Sequence, residues 1–143
     1  MYLIVLENGI YTIILSNFVM SKKINYKGWE LNFFDQAQNF RDYQWSLFKN
    51  KIKNEVLEVG PGNCVFLHRY NSKSKKIHLY EPSNKIRDRI KKKFKSIKKV
   101  KVISKYGKSK YDSIIYLDVL EHIKDDKTEV QNAYNRLKKR GHL

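Results

Sequence analysis

The sequence predicts an α/β fold, a parallel sheet with helices on both faces, and three observations carry that prediction. Short apolar runs recur at 55–59, 76–80, 100–104 and 113–117, and helical patterns separate most of them. The first run, Glu55-Val56-Leu57-Glu58-Val59, leads directly into the glycine turn Gly60-Pro61-Gly62. The second, Ile77-His78-Leu79-Tyr80, ends on Glu81, where a parallel α/β sheet presents an acid to a ribose.

Taken in order, the elements begin with an apolar stretch over residues 1–20. A membrane span needs about 20 uninterrupted apolar residues, and Glu7, Asn8 and Asn17 interrupt this one. A secretory signal starts with basic residues, which are absent here. The pair Asn8-Gly9, flanked by β-branched and aromatic residues, predicts a β-hairpin with a two-residue turn. Met20 offers an alternative start, which would make the hairpin an extension of the reading frame.

Between Trp29 and Lys49 the aromatic-rich spacing of Leu31, Phe33, Phe34, Ala37, Phe40, Tyr43, Trp45, Leu47 and Phe48 predicts one or two helices with an apolar face to bury. Strand one at 55–59 and a helix over 63–70 follow. Strand two at 76–80 precedes a strongly basic helix over 84–96, for which Ser83 is the expected cap. Strand three is expected at 100–104 and strand four at 113–117, opening on Tyr111-Asp112. A last helix is expected at about 127–138, stopped by Gly141. Alternation of this kind implies right-handed crossovers and a Rossmann-like sheet of about four core strands. The expected division is 1–20 as the hairpin extension, 21–50 as a helical lid segment, and 51–143 as the cofactor domain.

A chain of 143 residues with 41% hydrophobic residues has room for one domain and one core. Its formal charge of +16 raises the question of polyanions. The basic residues are 24 Lys and 6 Arg, whereas phosphate and base recognition favours the planar fork of Arg. That bias argues for weak nonspecific polyanion binding rather than specific recognition. The single cysteine, Cys64, excludes an internal disulfide and a cysteine-based metal framework, and points to a reducing, cytoplasmic setting.

Glycine suits positions 60 and 62 because a backbone without Cβ turns sharply and admits a ligand closely. A nicotinamide-binding Gly-x-Gly-x-x-Gly turn would need glycine at position 65, where Val65 stands. That departure disfavours an NAD-dependent oxidoreductase. A basic RNA-associated protein with a Rossmann-like core is the other alternative.

Several segments together carry a more specific resemblance: Glu58-x-Gly60-x-Gly62, Tyr80-Glu81-Pro82, Tyr111-Asp112, Leu117-Asp118-Val119-Leu120-Glu121-His122-Ile123, and Leu137-Lys138-Lys139-Arg140-Gly141-His142-Leu143. In order and spacing the chain resembles the class I S-adenosylmethionine-dependent methyltransferases of the small-molecule type, from about residue 33 to the end. The resemblance implies S-adenosylmethionine as cofactor and methyl transfer to a small-molecule acceptor. It implies that Glu58, Gly60, Pro61 and Gly62 frame the methionine moiety, with Glu58 helping to hold its ammonium group. Glu81 would accept hydrogen bonds from both ribose hydroxyls, as a carboxylate can. Asp118 would lie beside the cofactor, facing the acceptor entrance, and His122 is the candidate general base.

Asp118, Glu121 and His122 also resemble a Glu-x-x-Glu-His metal cluster of ubiquinone-pathway O-methyltransferases, a reading weighed below that of a metal-free site. Residues 33–43 lie where relatives place a lid, which makes Arg41 and Tyr43 candidates for contact with the cofactor. The family sheet has seven strands, so the resemblance implies a chain that stops near the start of strand five, at Leu143. Strand four would then be an exposed edge prone to association, and the acceptor pocket would be incomplete.

Overall fold

The structure, a computed structural model, describes residues 2–7, 10–15 and 36–143. Strands β1 (Tyr2–Glu7) and β2 (Ile10–Leu15) pair antiparallel, from Tyr2 opposite Leu15 to Glu7 opposite Ile10. This is the expected hairpin, and its Asn8-Gly9 link lies outside the described residues. So does most of the aromatic segment that precedes α1 (Gln38–Phe48).

The rest is a five-stranded sheet. Its strands are β3 (Glu55–Val59), β4 (Lys76–Tyr80), β5 (Val100–Ile103), β6 (Tyr111–Tyr116) and β7 (Leu137–His142), in the order β5-β4-β3-β6-β7. Every pairing is parallel. Helices α2 (Leu67–Asn71), α3 (Asn84–Phe94) and α4 (Asp126–Tyr134) complete the layers. Among the described residues no helix is long and apolar enough to cross a membrane.

Alternation along the strands divides the core between the two faces. Val56, Ile77 and Leu79 bury one face with Phe66, Leu67, Tyr70 and Ile90. Leu57, Val59, Ile114 and Tyr116 bury the other with Leu120 and Ala133. The buried Phe66, with Trp45 and Phe48 of α1, ties that helix to the first face: Phe48 lies 5.8 Å from Phe66, centroid to centroid.

Four local expectations need correction. The helix over 63–70 is shorter, because Cys64 is left-handed at φ 60 and its N–H closes a turn on the Pro61 carbonyl at 2.7 Å. The last helix ends at Tyr134, not Lys138, because the Arg136 carbonyl accepts from the Tyr111 N–H at 2.9 Å and draws Leu137 into the sheet. Strand pairing thus overrides the helical preference of a basic terminal turn. Gly141, read as a helix stop, lies inside β7.

A fifth strand therefore covers β6 where an exposed edge was expected. Two steps along β6, from Tyr111 to Ser113, face five along β7, from Leu137 to His142, and the excess forms a bulge containing left-handed Arg140. Strand β1 meets β7 without joining the sheet. Finally, only residues 104–110 connect β5 to β6, with no helix between them. Tyr106 fills that place. Its ring stacks on Tyr80 at 4.1 Å, Arg136 covers it at 4.3 Å, and Glu129 of α4 accepts its hydroxyl.

Candidate functional site

The chain runs β3, β4, β5 outward on one side and then returns to place β6 and β7 on the other. The order reverses between β3 and β6, the switch point beyond whose carboxyl ends open α/β sheets bind ligands. Val59 is in register with Tyr80 on β4 and with Tyr116 on β6. Gly60, Glu81 and the Leu117-Asp118 corner consequently emerge together at one edge.

Gly60 and Gly62 both adopt left-handed backbone, at φ 62 and φ 53. The N–H of Gly60 donates to the Tyr80 carbonyl at 2.9 Å, which anchors the turn to β4. Position 60 is also crowded: a Cβ there would stand 2.7 Å from Cγ2 of Val119. Glycine therefore satisfies two demands, the backbone twist and the contact with the loop after β6. Pro61 is buried between the two glycines.

Glu81 is 5% exposed. Its Oε1 accepts from the Ser83 N–H at 2.9 Å, and among the described residues its second carboxylate oxygen has no hydrogen-bond donor. Burial raises its pKa, while the Ser83 N–H and the nearby Arg87 and Arg89 oppose that rise. Ser83 also caps α3, accepting from the Ile86 N–H at 3.5 Å.

Glu58 lies on the same face as Val56, under α2, and is 3% exposed. The Tyr70 hydroxyl donates to its Oε2. Desolvation pushes the carboxyl up to about 7, against the lowering effect of that hydrogen bond. The carboxyl thus faces the core two residues before the turn, with the Tyr70 hydroxyl as its partner.

Asp118 is left-handed at φ 55. Its Oδ2 accepts from Arg41 Nη1 of α1 at 2.9 Å, and Arg41 is buried. Arg41 also donates to Gln44 at 2.8 Å and lies over the Phe66 ring at 5.6 Å. The inward stripe of α1 is Arg41, Gln44 and Phe48, whereas Phe40 and Tyr43 are exposed, Tyr43 at 56%. Of the expected aromatic face, Trp45 and Phe48 pack while Phe40 and Tyr43 do not. His122 and Glu121 are exposed in a short 3-10 turn, Leu120–His122. Among the described residues no cluster of His, Cys, Asp and Glu is arranged to hold a metal ion, so Asp118, Glu121 and His122 do not form one.

A family model described as a methyltransferase domain matches residues 30–143. The chain belongs to that methyltransferase family. Among solved structures, the methyltransferase domain is similar to the N-methyltransferase NodS of Bradyrhizobium japonicum in complex with S-adenosylhomocysteine. Identity there is 16% and the TM-score 0.67, over 80% of this chain and 63% of that one. It is also similar to an S-adenosylmethionine-dependent methyltransferase of Clostridium acetobutylicum, at 19% identity and TM-score 0.57 over 83% of this chain and 49% of that one. A third is magnesium protoporphyrin IX methyltransferase of Synechocystis with bound S-adenosylmethionine, at 15% and 0.57 over 83% and 62%. At these identities the likeness establishes the fold, and the chain spans about 63% of the length of NodS. No curated protein sequence matches it.

Two residues that shape the candidate site have roles that only the fold reveals. Tyr70 is an ordinary aromatic in a short helix, and only the fold brings it to Glu58, twelve positions away. Arg41 was expected near a cofactor, but its partner Asp118 lies 77 positions on, beyond any sequence periodicity.

Proposed function

We propose that this chain binds S-adenosylmethionine at the carboxyl ends of β3, β4 and β6 and transfers its methyl group to a small-molecule acceptor. The observation that carries this reading is the switch-point edge itself, where two left-handed glycines sit beside Glu81 and Asp118 in a chain of the methyltransferase family. The donor chemistry fits the cofactor. Among the described residues Glu81 keeps one carboxylate oxygen without a hydrogen-bond donor, the acceptor a ribose diol requires. Gly60, Pro61 and Gly62 let the backbone approach the methionine portion, with Glu58 at the strand end before that turn helping to frame it. Residues 51–143 form the cofactor domain and 21–50 its lid, with Tyr43 exposed on α1 for contact.

When bound there, S-adenosylmethionine would supply an electrophilic methyl group with a neutral thioether as leaving group. The protein's task is to hold the nucleophile in line with that carbon and to exclude water. Asp118, fixed by Arg41, borders the acceptor side. His122, exposed in the turn that follows, takes the acceptor's proton where one must leave.

Calorimetric titration of the protein with S-adenosylmethionine and with NAD tests the reading, with binding of the first alone expected. Glu81→Ala should weaken that binding by roughly 1.5–3 kcal/mol, the range for hydrogen bonds to a charged group. Binding of NAD instead, or unchanged affinity in the Glu81 variant, would refute the assignment.

A further inference from the structure

Residues 84–101 hold ten Lys and Arg against one acid, Asp88. The structure gathers them on α3, the turn after it and the edge strand β5. Elsewhere among the described residues Arg41 meets Asp118, Arg69 meets Asp42, Lys76 meets Glu55, and Lys138 meets Glu55 and Asp112. Within 84–101 the one pair among the described residues is Lys91 with Asp88 at 3.8 Å. Among the described residues no carboxylate lies within salt-bridge reach of Lys85, Lys92, Lys95, Lys98 or Lys101, and all five are exposed.

This face adjoins a groove of about 670 Å³ between α2 and α3. The groove lies behind the glycine turn, which it touches at Gly62, and its lining includes none of Glu58, Gly60, Glu81 or Asp118. Leu67, Ile90 and Phe94 give it an apolar floor. Arg89 and Lys93 form its basic rim, both held by Asn63: Arg89 Nη2 donates to its side chain at 2.8 Å and Lys93 Nζ to its carbonyl at 3.4 Å.

We infer that the α2–α3 groove and the α3 face form a binding site for single-stranded nucleic acid. Unneutralised lysines in a row bind successive phosphates by counterion release, which needs no guanidinium fork. An apolar floor beside them suits a base turned out of a stack, which a duplex does not offer. The groove meets the cofactor edge only at Gly62, and this inference does not rest on the proposed methyl transfer.

The test is fluorescence anisotropy on the full chain with labelled single strands of about 12 nucleotides, RNA and DNA of one sequence, across a salt series. Contact with four or five phosphates predicts a slope of log K against log salt of about −3. Lys85→Glu/Lys92→Glu should weaken binding at least tenfold and flatten that slope. Lys49→Glu/Lys124→Glu makes the same charge change at exposed positions off this face and should cost less than threefold. Lys95→Gln/Lys98→Gln, outside the helix, should flatten the slope in the same direction without altering α3. Photocrosslinks from a 4-thiouridine strand should fall within 62–71 or 84–97.

Equal losses for the two charge-reversal pairs would overturn the inference, because binding would then follow net charge alone. So would tighter binding to duplex than to single strands, crosslinks confined to other segments, or lysine-dependent binding to phosphatidylglycerol vesicles without binding to the strands. Titration of the same variants with S-adenosylhomocysteine separates the two sites. Loss of that ligand from the wild type with strand binding intact refutes the methyltransferase reading and leaves this one standing.

Discussion

Glu58→Gln should change how the stability of this protein depends on pH. Glu58 is a buried carboxyl whose pKa burial pushes up to about 7 from 4.5, with Tyr70 donating to it and the buried Cys64 close by. The folded state therefore keeps this proton up to about pH 7, while the unfolded chain releases it near 4.5. Between those values the folded state binds more protons, so its stability falls as pH rises. The contribution is whole below 4.5 and lost above 7, on the order of 3 kcal/mol in total.

Glutamine stays neutral throughout and can still accept from Tyr70, so the variant lacks this loss. Its offset at low pH reflects the new amide's unmet donors, about 1–3 kcal/mol, and does not vary with pH. His78 and His142 titrate in the opposite sense, since their pKa values are lowered by burial and by neighbouring lysines. Both are present in each protein and cancel in the difference. Urea unfolding at pH 5 and pH 8 should show the variant gaining about 2–3 kcal/mol on the wild type between the two conditions. Tyr70→Phe, which removes the group that lowers the carboxyl's pKa, should extend the wild-type decline to higher pH. A difference between variant and wild type that stays constant from pH 5 to pH 8 would refute the reasoning, because Glu58 would then ionise in the fold as it does in water.

The other expectations concern packing around the same edge. Gly60→Ala combines a left-handed cost of about 1–2 kcal/mol with overpacking against Val119 of about 1–3 kcal/mol. Adding Val119→Ala should recover only the second part, as read by thermal unfolding, and full recovery would show that the backbone twist costs nothing. Arg41→Ala should cost about 2 kcal/mol, below the range for a fully buried pair because the Asp118 side chain is 35% exposed. Amide exchange in α1 should rise with it, and unchanged protection there would show that Phe48 alone docks the helix. Glu129→Gln weakens the shared acceptor of Tyr106 and Tyr116, the latter at 2.6 Å. A loss of about 2 kcal/mol by urea unfolding is expected, near the scale for hydrogen bonds to a charged group.

Strands β3 and β4 were legible to the residue because β3 is buried on both faces and β4 alternates, burying Ile77 and Leu79. Their apolar runs are bounded by Asn54 and Gly60 and by Ser74-Lys75 and Glu81-Pro82, so local signals and the fold agree. The glycine turn was legible for the same reason, since it needs left-handed backbone that the sequence supplies as glycine. The segment from Arg136 to Gly141 was not legible. Lys138, Lys139 and Arg140 look like a basic helix end, and only β6, more than twenty residues earlier, makes them a strand. The buried stripe of α1 was legible only in part, because an aromatic pattern marks Phe48 and Trp45 but gives no sign of a buried charge. Here a charged residue, Arg41, is buried, since it has Asp118 to meet.

That same ion pair joins three parts of the site that the sequence presents separately. Arg41 belongs to α1, Asp118 to the corner after β6, and Val119, the next residue, presses its Cγ2 against the space a Cβ would need at Gly60. Movement of α1 away from Phe66 would leave Asp118 with one fewer partner while its backbone remains left-handed at φ 55, a conformation that a non-glycine residue holds only when its surroundings fix it. Relaxation there would shift Val119, and with it the wall that limits the glycine turn. The helix at the entrance and the turn at the floor are thus mechanically one unit, with Asp118 as the joint between them.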